Sequence, residues 1–304
     1  SQKPGMARDV ADVFPDARAA LDEVDRALAP QDPPLTSLMY DGPAEELTLT
    51  HNAQPALLAH GAALWAAIGS RLRAHVRAAA GHSLGEFTAY HAAGALSLAD
   101  AVRLVRVRGE LMYRTGVERP GAMAAILGTM SRPVDDLCGE ASEAGVVVPA
   151  NYNADEQLVL SGEVAGIERA MVLARAAGAK LLMRLNVSGA FHSPLMEPAV
   201  AGLRTALDAA AWLESAFAVY SNVDARPNRS AASARELLVR QLTSPVRWVE
   251  LVRRLAADFP RGVFVELGPG NVLTGLIKRI VPGAETFACG TATDATELLA
   301  RIGE

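Results

Sequence analysis

Residues 81–85 read Gly-His-Ser-Leu-Gly, and a helical pattern, EFTAYHAAG, begins with no intervening loop. A serine between two glycines at the entry to a helix fits the tight strand-to-helix turn that lifts a hydroxyl out of the fold and brings backbone amides near an oxyanion. Such a turn needs a strand before it and a helix after it, so it points to an α/β arrangement. The strand is weakly written, because Ala78, Ala79 and Ala80 stand where branched residues are expected. A Gly/Ser turn without chemistry has the same appearance, and the pentapeptide alone leaves both readings open.

The rest of the chain fits that arrangement. Helical patterns cover 6–29 and 53–73, with Pro55 expected in the first turn of the second. Ser97 and Asp100 form a capping-box pattern opening a helix to about Tyr113. From 122 to 187 the order is strand, helix, strand, strand, helix, strand, the ferredoxin-like unit. Strand patterns at 217–223 and 262–268 belong to the surrounding α/β part, and 226–235 reads as a loop leading into a helix. The expected fold is an α/β-hydrolase-like parallel-sheet domain, residues 1–121 and 188–304, with an inserted ferredoxin-like subdomain at 122–187.

Composition narrows the function classes. Of 304 residues, 50% are hydrophobic and 21% charged, with a net charge of -5, which gives no general attraction for nucleic acid or anionic membrane. Cys138 and Cys289 lie far apart, outside any metal-ligand spacing, and the six histidines include no His-Glu-x-x-His pair. No uninterrupted apolar run of membrane-spanning length occurs, and the first ten residues lack a signal-peptide core. The expectation is a cytoplasmic enzyme without a bound metal or prosthetic group.

Ser83 needs a base to act as a nucleophile. His51, His60, His75 and His91 sit in helical or ordinary surface contexts, and His82 is adjacent to the serine, where the turn directs the two side chains apart. His192, in SGAFHSPLM, falls in a turn between the last subdomain strand and a helix starting near Pro194. No acid is an unambiguous third member. Asp224 follows a strand, but an aspartate there is more often a turn former. A Ser-His pair oriented by a backbone carbonyl is chemically sufficient. On the helix after Ser97, Arg103, Arg106 and Glu110 form a polar face, whereas Arg108 falls among Leu104, Val105, Leu111 and Met112. An inward arginine needs a partner, such as an internal salt bridge, or a wet cavity, since a guanidinium cannot simply lose its proton.

The segments GHSLGE, VRLVRVRG, ANYNADEQLVLSG, SGAFHSPLM, QLTSPVRW and VELGPGNVLTGLIKR, in this order along nearly the whole chain, resemble bacterial malonyl-CoA:acyl carrier protein transacylases. They also resemble the acyltransferase domains of polyketide synthases. The resemblance implies Ser83 as the malonylated nucleophile, His192 as its base and Arg108 as the partner of the malonyl carboxylate. It implies that the Gln241 backbone carbonyl orients the histidine and that the Leu84 amide donates to the oxyanion. Gln54, Phe191, Asn151 and Asn153 are implied pocket residues, with Phe191 beside the malonyl methylene, where a ring disfavours a methyl branch.

The implied substrates are malonyl-CoA and acyl carrier protein bearing phosphopantetheine, in fatty acid biosynthesis, with the enzyme expected to be a monomer. Arg184, Lys278 and Arg279 are candidates for a basic rim facing the carrier. One departure stands out: the family pattern opens with a hydrophobic strand and Phe-Pro-Gly-Gln-Gly-Ser-Gln, of which only Ser1-Gln2 is matched. The expectation is a shortened gene start, neighbouring strands left unpaired, and a second oxyanion donor missing. The alternatives are a discrete polyketide acyltransferase, a thioester hydrolase, or a noncatalytic carrier-binding scaffold.

Overall fold

The computed structural model describes residues 2–187 and 189–303. Ser1, part of the amino-terminal match, and Ser188, the expected boundary residue and the first of SGAFHSPLM, lie outside the described residues. The chain opens with five helices: α1 (Arg8–Val13), α2 (Pro15–Leu28), α3 (Leu35–Asp41), α4 (Ala44–Thr48) and α5 (Thr50–Leu72). Strand β1 (Ala78–Ala80) follows, then α6 (Gly85–Ala92) and α7 (Leu98–Glu118).

Pro55 lies in the second turn of α5 and not the first. The helix starts earlier than the pattern suggested because the Leu49 carbonyl already accepts from the Asn52 and Ala53 amides. The α7 cap is a modified box: Ser97 Oγ accepts from the Asp100 amide, while the Asp100 carboxylate takes the Ser97 hydroxyl. An aspartate is one methylene shorter than the usual glutamate, and the expected return bond to the Ser97 backbone amide is absent. Helix α7 also runs past Tyr113 to Glu118, with Thr115 and Gly116 buried. It packs closely on α5 at Gly109, where a Cβ would stand 2.6 Å from the His51 Cα.

The inserted unit comprises β2 (Gly121–Leu127), α8 (Val134–Ala141), β3 (Val147–Ala154), β4 (Gln157–Glu163), α9 (Val164–Ala176) and β5 (Leu181–Arg184). Its strands are antiparallel in the order β3-β4-β2-β5, the ferredoxin-like arrangement. Alternation sends Ala122, Ala124 and Ile126 of β2 under α8 and α9 with Leu137, Ile167 and Ala170. Met123 and Ala125 face the other way, towards Leu185 and Phe191.

The chain returns through a 3-10 turn, Pro194–Met196, to α10 (Glu197–Ala209), β6 (Ala218–Tyr220), β7 (Pro227–Asn228), α11 (Ala231–Gln241) and α12 (Trp248–Asp258). It finishes with β8 (Phe264–Leu267), α13 (Val272–Ile280), β9 (Thr286–Cys289) and α14 (Ala292–Gly303). The strands of the large domain fall in two sheets, β1-β6-β7 and β8-β9, the separation expected of neighbouring strands left unpaired. The β1-β6 and β8-β9 pairs are parallel, and β7, part of the expected loop, adds antiparallel to β6. Among the described residues, strands β1 and β8 each pair on one side only, and the residues of both are half-buried. The main core gathers α2, α5, α6, α7 and α10 around Leu21, Leu58, Phe87, Val105 and Leu203.

Candidate active site

The turn between β1 and α6 places Ser83 at φ 51°, in the left-handed region that non-glycine residues avoid. Gly81 is required there, because a Cβ would lie 1.9 Å from the Gly85 carbonyl carbon. Asn222, just beyond β6, clamps the turn: its Nδ2 donates to the Gly81 carbonyl at 2.7 Å and its Oδ1 accepts from the Ser83 amide at 2.7 Å. These bonds offset a backbone strain of about 1–3 kcal/mol.

His192 also has a positive φ, 57°, in the turn before Pro194. Its Nδ1 lies 2.8 Å from the Gln241 carbonyl oxygen, and its Nε2 lies 2.8 Å from Ser83 Oγ. A carbonyl only accepts, so Nδ1 carries the hydrogen and Nε2 is left bare to accept from the serine hydroxyl. Burial, with the Arg108 charge second, pushes His192 down to about 3 from 6.5. The ring is therefore neutral at physiological pH, the form a general base needs. Asp224 plays no part in this arrangement, since its carboxylate accepts from the Arg226 amide as a turn former.

Arg108 is 1% exposed. Its Nη1 donates to Gln54 Oε1 at 2.5 Å, and its Nη2 donates to Ser83 Oγ and Gln241 Oε1, each at 3.0 Å. Every acceptor is neutral. Among the described residues no carboxylate lies within ion-pair distance of this guanidinium, and its Nε has no partner. Burial lowers its pKa to about 10, with the Glu86 carboxylate raising it, so it remains protonated. A buried, solvent-stripped cation held only by neutral groups is built to receive an anion. The internal salt bridge left open by the sequence is absent.

Of the residues singled out from the sequence, Ser83, His192, Arg108, Gln54 and Gln241 form one hydrogen-bonded cluster, drawn from the β1–α6 turn, the turn after β5, α7, α5 and α11. Leu84 adjoins it, and its amide donates to no carbonyl or side chain among the described residues, leaving it free for an oxyanion. Phe191 is half-buried and packs between the main core and the open face of the inserted sheet. Among the described residues, Asn151 and Asn153 make no hydrogen bond to this cluster. Asn151 forms a backbone bridge to Val246, and Asn153 Oδ1 lies 2.8 Å from His82 Nε2. The rim candidates Arg184 and Arg279 carry contacts to Glu168 and Gln157.

Two buried residues escaped sequence reasoning. Asn222 has no local pattern to mark it. Glu86 reads as an ordinary acid in the first turn of a helix, yet it is fully buried, and burial raises its carboxyl to about 7. Among the described residues no group of three or more His, Cys, Asp or Glu could hold a metal ion, and no helix is long and apolar enough to cross a membrane.

The family model of the acyl transferase domain matches residues 1–290. The malonyl CoA-acyl carrier protein transacylase of Bacillus subtilis (strain 168) is 43% identical over 291 residues, covering 95% of this chain and 90% of that protein. A crystal structure of an acyl-carrier-protein S-malonyltransferase from Bartonella henselae superposes with a TM-score of 0.94 at 36% identity, covering 100% of this chain and 96% of that one. A malonyl-transacylase solved in complex with a type II polyketide acyl-carrier protein aligns at 37% identity and a TM-score of 0.89, covering 99% of this chain and 96% of that one. A match along almost the full length, combined with an elbow serine, a neutral histidine and a free buried guanidinium in one cluster, leads to one assignment: the chain belongs to the bacterial malonyl-CoA:acyl carrier protein transacylase family of acyl transferases.

Proposed function

We propose that Ser83 carries the malonyl group in a two-step transfer from malonyl-CoA to the phosphopantetheine thiol of acyl carrier protein. His192 Nε2 takes the serine proton as Oγ attacks the thioester carbonyl, and the Leu84 amide donates to the oxyanion. Collapse breaks the carbon–sulfur bond, the coenzyme A sulfur takes the proton from His192, and malonyl-Ser83 remains. The carrier thiol then gives its proton to His192 and attacks the ester, and Ser83 leaves with that proton.

The observation that supports this reading is the buried Arg108 guanidinium, which contacts Ser83 Oγ and has only neutral acceptors. Its positive charge opposes the imidazolium that must form on His192 during attack. A substrate carboxylate seated on Arg108 cancels that opposition, whereas an acetyl group cannot. Malonyl is therefore favoured both in binding and in the transition state. Phe191, adjacent to His192 in the chain, borders the same space and disfavours a branched malonyl chain.

The unit of function in this reading is a monomer in the cytoplasm, since the clustered side chains come from one chain and both cysteines are free thiols. Residues 1–121 and 188–304 form the acyl-transfer domain, and 122–187 the insert. The test is Arg108→Ala, compared with wild type for kcat/KM on malonyl-CoA and acetyl-CoA. Malonyl transfer should fall at least about 100-fold, in line with losing a charge-assisted contact of roughly 3 kcal/mol, and acetyl transfer much less. Equal proportional losses would return Arg108 to a purely structural role.

A further inference from the structure

We propose that Glu86 is a positioning residue for this transfer, holding Gln241 and Asn222 so that His192, Arg108 and Ser83 converge; the inference rests on the malonyl-transfer reading above. Glu86 sits one residue into α6 and is inaccessible to solvent. Its Oε2 accepts from Gln241 Nε2 at 2.7 Å and from the Asn222 backbone amide at 3.0 Å. The second hydrogen of the Gln241 amide goes to the Ser83 carbonyl at 3.1 Å.

That pairing decides which way the Gln241 side chain points. With both amide hydrogens drawn to Glu86 and Ser83, Oε1 is left to accept from Arg108, and a flipped amide would face its NH₂ towards the guanidinium. The same residue's backbone carbonyl holds His192 Nδ1. Asn222, the other residue bonded to Glu86, holds the Ser83 amide and the Gly81 carbonyl. One buried carboxylate thus fixes two residues that between them contact every member of the Ser83, His192 and Arg108 cluster. A buried acid is costly to keep unless its bonds are used. Among the described residues its Oε1 has no hydrogen-bond partner, so the bonds to Gln241 and Asn222 are both made by Oε2, with the Ser221 hydroxyl nearby also favouring the charged form.

The test is single-turnover malonylation of Ser83 by saturating malonyl-CoA, read by intact mass and normalised to folded protein from near-ultraviolet circular dichroism. Glu86→Met fills the same space without an acceptor, and Glu86→Gln restores one. Loss of alignment without loss of fold commonly costs about 100-fold when a reacting group is misplaced by an ångström. Glu86→Met should acylate about 10- to 100-fold more slowly per folded molecule, and Glu86→Gln should recover to within about threefold of wild type. Wild-type acylation by folded Glu86→Met overturns the proposal, as does an equal loss in both variants. If Glu86→Met does not fold, Glu86→Asp, which withdraws the carboxylate by one methylene, should show the same slowing, and an unslowed folded Glu86→Asp overturns it. Absence of malonylation in the wild type would instead contradict the transfer reading itself.

Discussion

At the residue scale, the cluster is organised around one cation and one neutral base. His192 is held neutral by burial and by Arg108, with its acid form disfavoured down to about 3. The sign follows: between about pH 3 and 6.5 the unfolded chain binds a proton at this position and the folded chain does not. Stability from this site is therefore lost as pH falls through 6.5, while the base itself stays competent. Glu86, raised to about 7, titrates in an overlapping range and has to be removed for a clean reading. In Glu86→Gln, kcat/KM for Ser83 acylation by malonyl-CoA should stay level within about twofold from pH 8 to about 5.5, since this parameter reports free-enzyme ionisations. A limb with an apparent pKa near 6.5 that persists in this variant would show that His192 titrates like an exposed imidazole.

At the element scale, α5 and α7 deliver Gln54 and Arg108 to the same point, and Gly109 sets how closely they pack. A Cβ there would meet His51 Cα at 2.6 Å and the Thr50 carbonyl oxygen at 2.9 Å, both rigid helix backbone. Gly109→Ala should therefore push α5 outward, cost about 1–3 kcal/mol of stability and weaken the Gln54–Arg108 bond. The checks are denaturant unfolding and kcat/KM for malonyl-CoA; wild-type values of both would show that the helices can separate without consequence. Much of this element layer was legible in the sequence. The ferredoxin-like unit followed from the order of strand and helix segments over 122–187, and Arg108 declared itself as a charge on an apolar stripe. The separation of the sheet was expected, but the partnership of β1 with β6 was not legible, because it joins residues about 140 apart and is carried by three alanines with a weak strand signal. Asn222 and Glu86 were hidden for a related reason: their meaning lies in bonds across the fold, and a single chain pattern records only local spacing.

At the scale of the whole molecule, the Ser83, His192 and Arg108 cluster is drawn from elements outside the inserted sheet, while the open face of that sheet packs against Phe191, the neighbour of His192 in the chain. In the proposed transfer a malonyl group passes through Ser83 on its way from coenzyme A to a carrier thiol. The most direct measurement is intact mass of the protein after incubation with malonyl-CoA, followed by a chase with phosphopantetheinylated acyl carrier protein, for wild type and Ser83→Ala. The expected result is one malonyl increment on wild type, its transfer to the carrier during the chase, and no increment on folded Ser83→Ala. An increment on Ser83→Ala at the wild-type rate, or a wild-type adduct that water removes as fast as the carrier does, would contradict it.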